Sequence, residues 1–319
     1  MSNEWKAMSM GNVVIKTENL TKTFKVGFRG KSFAALKGLN LEVNNGEIFG
    51  FLGPNGAGKT TTIKILMGLI YPTAGKAWIL DKEVGDVEIK NRIGFLPEQP
   101  YFYDYLTSTE FLRFYGQLFG LDGDELRARM KNLLALVGLE DAADIQLRKF
   151  SKGMLQRIGI AQAVINQPDL IVLDEPMSGL DPIGRKEIRD IILRLKDDGK
   201  SVFFSTHIIP DVEMICDRVG ILMKGELVNV GRLDEIMDAR VKYVEIIARN
   251  VSKDMLAHIA AMDSSVHEAW DHVSIKVKDE NMTDVILQLV RDGKGRVVSV
   301  VPQRETLEEY FMKKIGADS

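Results

Sequence analysis

The chain has 319 residues, 45% of them apolar, and a formal net charge of −3, with a pI near 5.9. That length suffices for one large domain plus a smaller one, and the acidic balance argues against a protein that coats nucleic acid, which would be strongly basic. A single cysteine, Cys216, leaves no partner for an internal disulfide and points to a reducing compartment. The opening residues MSNEWKAMSMG show no apolar segment with a cleavage site, so no signal peptide is expected. No uncharged apolar run of about 18 residues occurs, so the chain is not expected to cross a membrane itself.

Residues 1–12 read as a flexible tail. From Val13 to Val43, short alternating runs predict strands of an antiparallel sheet. Asn44-Asn45-Gly46 is a turn signal, and Ile48–Leu52 is a short apolar run typical of a buried strand. A glycine-rich loop follows, and then Ile63, Leu66, Met67 and Ile70 at helical spacing predict a helix over 61–69. Residues 107–165 read as wholly helical, with Phe111, Phe114 and Tyr115 expected in the core. Leu170–Leu173 and Ser201–Ser205 read as buried strands joined by a helix carrying Ile188, Ile191, Ile192 and Leu195, which closes a βαβ unit. The texture changes near Val241. From there to residue 319 the order is strand, helix, two strands, helix, strand, with a last helix from about Thr306; βαββαβ suggests a small ferredoxin-like domain.

The chemistry gathers in two places. Gly53-Pro54-Asn55-Gly56-Ala57-Gly58-Lys59-Thr60 lies between a buried strand and a helix, the context in which glycines let backbone N–H groups converge on phosphate. Lys59 is expected to reach the β- and γ-phosphates, and Thr60 to offer its hydroxyl to Mg²⁺. Leu170-Ile171-Val172-Leu173-Asp174-Glu175 buries a strand and delivers two carboxylates at its C-terminal end, where ligands bind in open α/β sheets. Asp174 is suited to hold Mg²⁺ through water, and Glu175 to deprotonate the attacking water.

With these motifs in place, the chain resembles the nucleotide-binding subunit of an ATP-binding cassette (ABC) transporter over about residues 13–238. Phe150-Ser151-Lys152-Gly153-Met154 stands where the family has its Leu-Ser-Gly-Gly-Gln signature. Ser178-Gly179-Leu180-Asp181 matches the loop after the acidic strand, His207 the switch histidine, and Phe24 the aromatic that stacks on adenine. The resemblance implies an α/β P-loop NTPase cassette: a RecA-like core, an antiparallel β subdomain and a helical subdomain at about 100–165. A small α+β accessory domain at 241–319 follows, its ending similar to exporter-type subunits. It implies ATP and Mg²⁺ as ligands. Phe24, residues 53–61 through Thr61, Ser151, Gly153 and Asp181 would bind nucleotide; Thr60, Glu98 and Asp174 would hold metal; Glu175 and His207 would be catalytic.

Two departures stand out. Lys152 and Met154 replace a glycine and the glutamine of the signature, which leaves the role of Gln156 open. In Pro97-Glu98-Gln99 the family's glutamine aligns with Glu98, and the residues alone do not decide between Glu98 and Gln99. A single copy of each motif implies a dimer with a second copy or a similar cassette, closing two ATP sites. The resemblance also implies a separate transmembrane permease and a cytoplasmic place on the inner face of the membrane, and with the acidic balance no nucleic acid is expected as a partner.

Phe28 and Phe33 compete with Phe24 for the adenine. Of Tyr101, Phe102, Tyr103 and Tyr105, some rings are expected to be exposed to a membrane partner, because adjacent residues cannot all face one core. Cys216 reads as inert packing, and His258, His267 and His272 as solvated. The rival reading is a soluble ABC-type ATPase acting on a ribosome or DNA; one cassette, no sustained heptads and the acidic pI speak against it. A switch without turnover is disfavoured by the presence of Glu175 and His207.

Overall fold

The computed structural model describes residues 13–26, 31–236, 241–262, 264–304 and 306–309. The tail at 1–12 and Phe28 lie outside these, and of the helix expected from Thr306 only residues up to 309 are described. The chain divides between Leu233 and Asp234 into two compact units. The division falls just ahead of the expected change of texture at Val241.

In the first unit, β1 (Val13–Val26) and β2 (Lys31–Asn44) pair antiparallel, joined by β4 (Ala74–Ile79) and β5 (Lys82–Glu83) in the order β2-β1-β4-β5. The second sheet has six strands. They are β10 (Glu226–Gly231), β9 (Arg218–Met223), β3 (Ile48–Leu52), β8 (Ser201–Thr206), β7 (Leu170–Asp174) and β6 (Ile93–Leu96), in that order. Only β10 runs antiparallel to its neighbour. Every residue of β3, β7 and β8 is buried, as expected of parallel strands covered on both faces. Phe203 of β8 stacks on Phe49 of β3 at 5.7 Å between centroids with 4° between planes, and leans on Phe51 at 5.4 Å. These contacts hold β3 and β8 in register, so that the loops after both strands open at the same edge.

Helix α1 (Lys59–Leu66) follows β3 directly. The segment expected to be wholly helical divides into α2 (Ser108–Leu118), α3 (Gly123–Leu136) and α4 (Lys152–Ala163), with two short 3-10 turns between α3 and α4. The breaks have local causes. Gly120 (φ 76°) and Gly138 (φ 62°) sit just past the ends of α2 and α3 in the left-handed region, where glycine ends helices. Thr107 starts α2 with a capping box, accepting from the Glu110 N–H while the Glu110 carboxylate accepts from its own. Apolar periodicity continues across these breaks and hides them. Phe114 also departs from expectation: it is 38% exposed. The buried stripe of α2 runs through Phe111, Leu112 and Gly116, which leaves Phe114 at its border, edge-on to Tyr103 at 5.4 Å. Phe111 is buried as expected. Helices α5 (Pro182–Asp197) and α6 (Ile209–Ile215) flank β8 in sequence, and α7 (Leu233–Ile236) begins at the last residue of the unit.

The second unit runs β11 (Val241–Arg249), α8 (Lys253–Ala260), β12 (Ser264–Glu268), β13 (Val273–Val277), α9 (Glu280–Asp292) and β14 (Arg296–Arg304). The element order is βαββαβ. The sheet order is β12-β13-β11-β14, with every neighbouring pair antiparallel. Val244, Ile246 and Ala248 of β11 form its core with Leu256, Ile259, Ile286 and Val290 of the helices. His258 and His267 are exposed, and His272 bonds Asp271 at 2.7 Å. No helix among the described residues is long and apolar enough to cross a membrane.

The stack between β3 and β8 sets a stability prediction. Phe203→Ala removes a fully buried ring and should cost about 3–5 kcal/mol, whereas Phe203→Leu should cost under about 2 kcal/mol. Denaturant titration of the purified protein measures both; equal midpoints for the two variants would contradict the packing.

Candidate functional site

The phosphate-type loop is shaped by where β3 ends. The Gly53 N–H donates to the Thr206 carbonyl of β8 at 3.1 Å, and the Ala57 N–H closes a turn onto the Pro54 carbonyl at 3.1 Å. Gly58 opens α1 at φ 112°, and a Cβ there would fall 2.5 Å from the Ala35 carbonyl oxygen, so only glycine fits. No side chain caps this helix. Its first N–H groups therefore face outward at the positive end of the helix dipole, the arrangement that accepts an anion.

Lys59, 5% exposed, folds back over the loop. Its Nζ donates to the Gly53 carbonyl at 2.6 Å and the Pro54 carbonyl at 3.2 Å, and lies 3.1 Å from Glu175 Oε1. Glu175 is 6% exposed, and its Oε2 lies 2.8 Å from His207 Nδ1. Glu175 also adopts φ 50°, in the left-handed region that side chains seldom occupy. Asp174 Oδ1 accepts from Ser205 Oγ at 2.6 Å and from Thr60 Oγ1 at 3.3 Å. Burial is the main force pushing the Asp174 carboxyl above its usual range, with smaller contributions from the charges of Glu98 and Glu175; the two hydroxyl donors oppose them.

Phe24, Phe33, Asn55, Gly56, Gly58, Lys59, Thr60, Thr61, Glu98 and Glu175 line one cleft of about 320 Å³, a size that suits a small ligand. Phe24 pairs with Phe33 across β1 and β2, so both rings stand at its rim, and Lys22 lies 5.1 Å from the Phe24 centroid. Glu98 lines the cleft and Gln99 does not.

Ser151, Gly153 and Asp181, also expected to bind nucleotide, stand at the starts of other helices. Ser151 caps α4, its Oγ accepting from the Met154 N–H at 3.2 Å, and Gly153 sits in that first turn. Asp181 caps α5, accepting from the Gly184 N–H at 2.7 Å. Lys152 lies over the loop before Asp181: its Nζ occupies the place a Cβ on Gly179 would take, 2.3 Å from it. Gln156 of α4 is buried. Within one chain the signature and the Asp181 loop neighbour each other and not the cleft lined by Lys59. The sequence alone gives Ser205 no role. Its signal was a polar residue inside an apolar strand, at a position in register with Asp174.

The residues fit a nucleotide phosphate and its cation. An uncapped helix start, a buried ammonium, and Thr60 and Asp174 oxygens beside each other supply complementary charge and hard oxygen donors. Comparison with known proteins agrees on the nucleotide. The ABC transporter family description matches residues 36–178. An ABC transporter ATP-binding protein of Nostoc sp. is 46% identical over 305 residues, covering 95% of this chain and 90% of that one. The bacitracin transport ATP-binding protein BcrA of Bacillus licheniformis is 35% identical over 316 residues, covering 96% and 98%. Among solved structures, a dimeric post-hydrolysis state of an ATP-binding cassette bound to ADP and Pi matches with a TM-score of 0.63 at 30% identity, over 69% of this chain and 98% of that one. The chain therefore belongs to the ABC transporter ATP-binding proteins, and its first unit is an ATP-hydrolysing cassette of that family.

Proposed function

We propose that this chain powers a separate membrane permease, working in the direction of export, by closing on ATP as a dimer and opening on hydrolysis. The observation that carries the reading is Glu175: a nearly buried carboxylate held between Lys59 and His207 at the floor of the nucleotide cleft. Export is supported by the relatives named for bacitracin transport and linearmycin resistance. The dimeric cassettes among similar structures support the two-copy arrangement. The place on the inner face of the membrane, in the cytoplasm, follows from the permease partner. The second unit is an accessory ferredoxin-like module in this reading.

The chain's own groups divide the work. The N–H groups of the 53–60 loop and of the start of α1 bind the phosphates. Lys59 exchanges its contact with Glu175 for one with phosphate oxygen. Glu175, released from Lys59, takes the proton of the attacking water at its carboxylate, and His207 orients that carboxylate and the γ-phosphate. A bound Mg²⁺ supplies charge neutralisation on the phosphate oxygens, and Thr60, Asp174 and Glu98 are the residues to hold it. Phe24 at the rim offers a ring to the adenine. Ser151, Gly153 and Asp181 lie at helix starts suited to close over nucleotide on a second copy.

Glu175→Gln should lower turnover by roughly 10²–10⁴. It should also tighten ATP binding, because it removes the carboxylate that competes with phosphate for Lys59. Steady-state hydrolysis together with sizing of the ATP-bound form reads both; normal turnover by the variant would sink Glu175 as base. Lys59→Ala should weaken ATP binding by roughly 30-fold or more, since it strands Glu175 without its cation as well as removing a phosphate contact; an unchanged dissociation constant refutes the cradle. Asp174→Asn keeps both hydroxyl bonds while removing a buried charge whose carboxyl is already pushed up. The nucleotide-free protein should then melt at a higher temperature even though Mg²⁺ no longer strengthens ATP binding. Differential scanning calorimetry checks this, and a lower melting temperature contradicts it.

A further inference from the structure

We infer that Ser205 is a positioning residue for both carboxylates of the site, and that its single hydroxyl prepares Asp174 for the metal and Glu175 for the water. This rests on the reading of Asp174 and Glu175 given above. Ser205 is fully buried on β8, behind Val202, Phe203 and Phe204. A hydroxyl in such surroundings costs stability unless its bonds are made. Both are made, and both go to the site. The hydroxyl donates its proton to Asp174 Oδ1 at 2.6 Å and accepts the Glu175 backbone N–H at 2.9 Å. A serine hydroxyl has one proton to give and lone pairs to accept with, so the two bonds are compatible and mutually polarising.

Each bond has a separate consequence. The first fixes the Asp174 carboxylate through Oδ1, which Thr60 also engages at 3.3 Å. Neither donor uses Oδ2, and no bond to Oδ2 is seen among the described residues. The carboxylate is thus held by one oxygen with the other left for a cation. The second bond pins the backbone at Glu175, where φ is 50°. That conformation is disfavoured for a residue with a side chain and persists when its surroundings hold it. It turns the Glu175 carboxylate toward Lys59 and His207. The register makes the arrangement possible: Asp174 and Ser205 stand directly opposite on parallel strands. A residue one place along β8 would face the other side of the sheet.

Neighbouring residues on the same strand end contact the rest of the site. The Thr206 carbonyl accepts from the Gly53 N–H at 3.1 Å, and His207 meets Glu175 at 2.8 Å. Ser205 is the member of this triplet that touches both acids. It touches no nucleotide-binding atom itself, so its effect should pass through Asp174 and Glu175 alone.

Ser205→Ala keeps the strand and removes both bonds. Placed on Glu175→Gln, where nucleotide is not consumed, it should leave the affinity for a fluorescent ATP analogue in EDTA within about twofold. The gain in affinity on adding Mg²⁺ should shrink by roughly 10- to 100-fold, the usual effect of removing a group that orients a metal ligand. In the otherwise wild-type protein, Ser205→Ala should lower kcat by a similar factor with KM for ATP little changed. An undiminished Mg²⁺ gain overturns the inference. So does an equal loss of affinity in EDTA, which would make Ser205 a support of the fold and not of the acids. The Glu175→Gln parent separates this from failure of the broader reading. If the parent hydrolyses ATP normally, Glu175 is not the base, and the Mg²⁺ gain still decides Ser205 at Asp174. If the parent is inactive and the gain is intact, Ser205 alone is refuted.

Discussion

The ammonium of Lys59 meets the carboxylate of Glu175 at 3.1 Å with both side chains almost out of water, and the rest of the cassette is arranged around the cost of that pair. Taking two charges from water costs several kcal/mol each, and their attraction offsets this only with good geometry and further bonds. Here the ammonium has the carbonyls of Gly53 and Pro54, and the carboxylate has His207. Lys59 hangs from the loop after β3 and Glu175 from the end of β7, strands that are not neighbours: β8 lies between them. The pair therefore closes over the end of β8, and anything that moves β8 moves the pair. A phosphate entering the cleft is a second anion for the same lysine. In the proposed mechanism, binding is an exchange of one anion for another at a fixed cation, and Glu175 is released by the ligand on which it is proposed to act.

The same strand end explains how the exchange reaches beyond the cleft. His207 begins the turn into α6, and Asp211 of α6, 1% exposed, is paired with Arg189 of α5 at 2.6 Å. The start of α5 is capped by Asp181. A single bonded route thus runs from Glu175 through His207 and α6 to the helix whose N-terminal loop lies under Lys152. The links are the His207–Glu175 and Arg189–Asp211 contacts, the chain from His207 into α6, and α5 itself. Breaking the Arg189–Asp211 pair by removing one partner leaves a buried charge, which makes α6 a poor place for slack.

Much of this was legible in the residues because burial leaves a simple trace. Ile48–Leu52 and Leu170–Leu173 are unbroken apolar runs because parallel strands covered on both faces have no polar side, so the motifs at their ends could be placed on a sheet edge. Over 107–165 that trace misled. Helical periodicity survives across short breaks, which Gly120 and Gly138 mark at the helix ends. Phe114 was misplaced for a related reason: spacing gives a face, but the width of the buried stripe depends on what packs against it. Ser205 left little trace, since its partners Asp174 and Glu175 are some thirty residues away and only strand register brings them together. Glu98 is not separated from Gln99 by pattern, because a one-residue difference in a loop has no period to anchor it; of the two, Glu98 lines the cleft.

Lys152 shows how a departure from a family pattern is absorbed. A lysine in place of a glycine at the start of α4 brings a long charged side chain where a compact turn is expected. Space for it comes from a second glycine: Gly179 adopts φ 67° and has no Cβ, and the Lys152 ammonium lies in the space that leaves. The start of α4 keeps its serine and its glycine. Ser151 still caps α4, and Gly153 still leaves its first turn open. The substitution therefore adds a cation beside the signature while the first turn of α4 stays open. It also ties the signature to the Asp181 loop of the same chain, so the two segments suited to meet a partner's nucleotide present themselves as one surface.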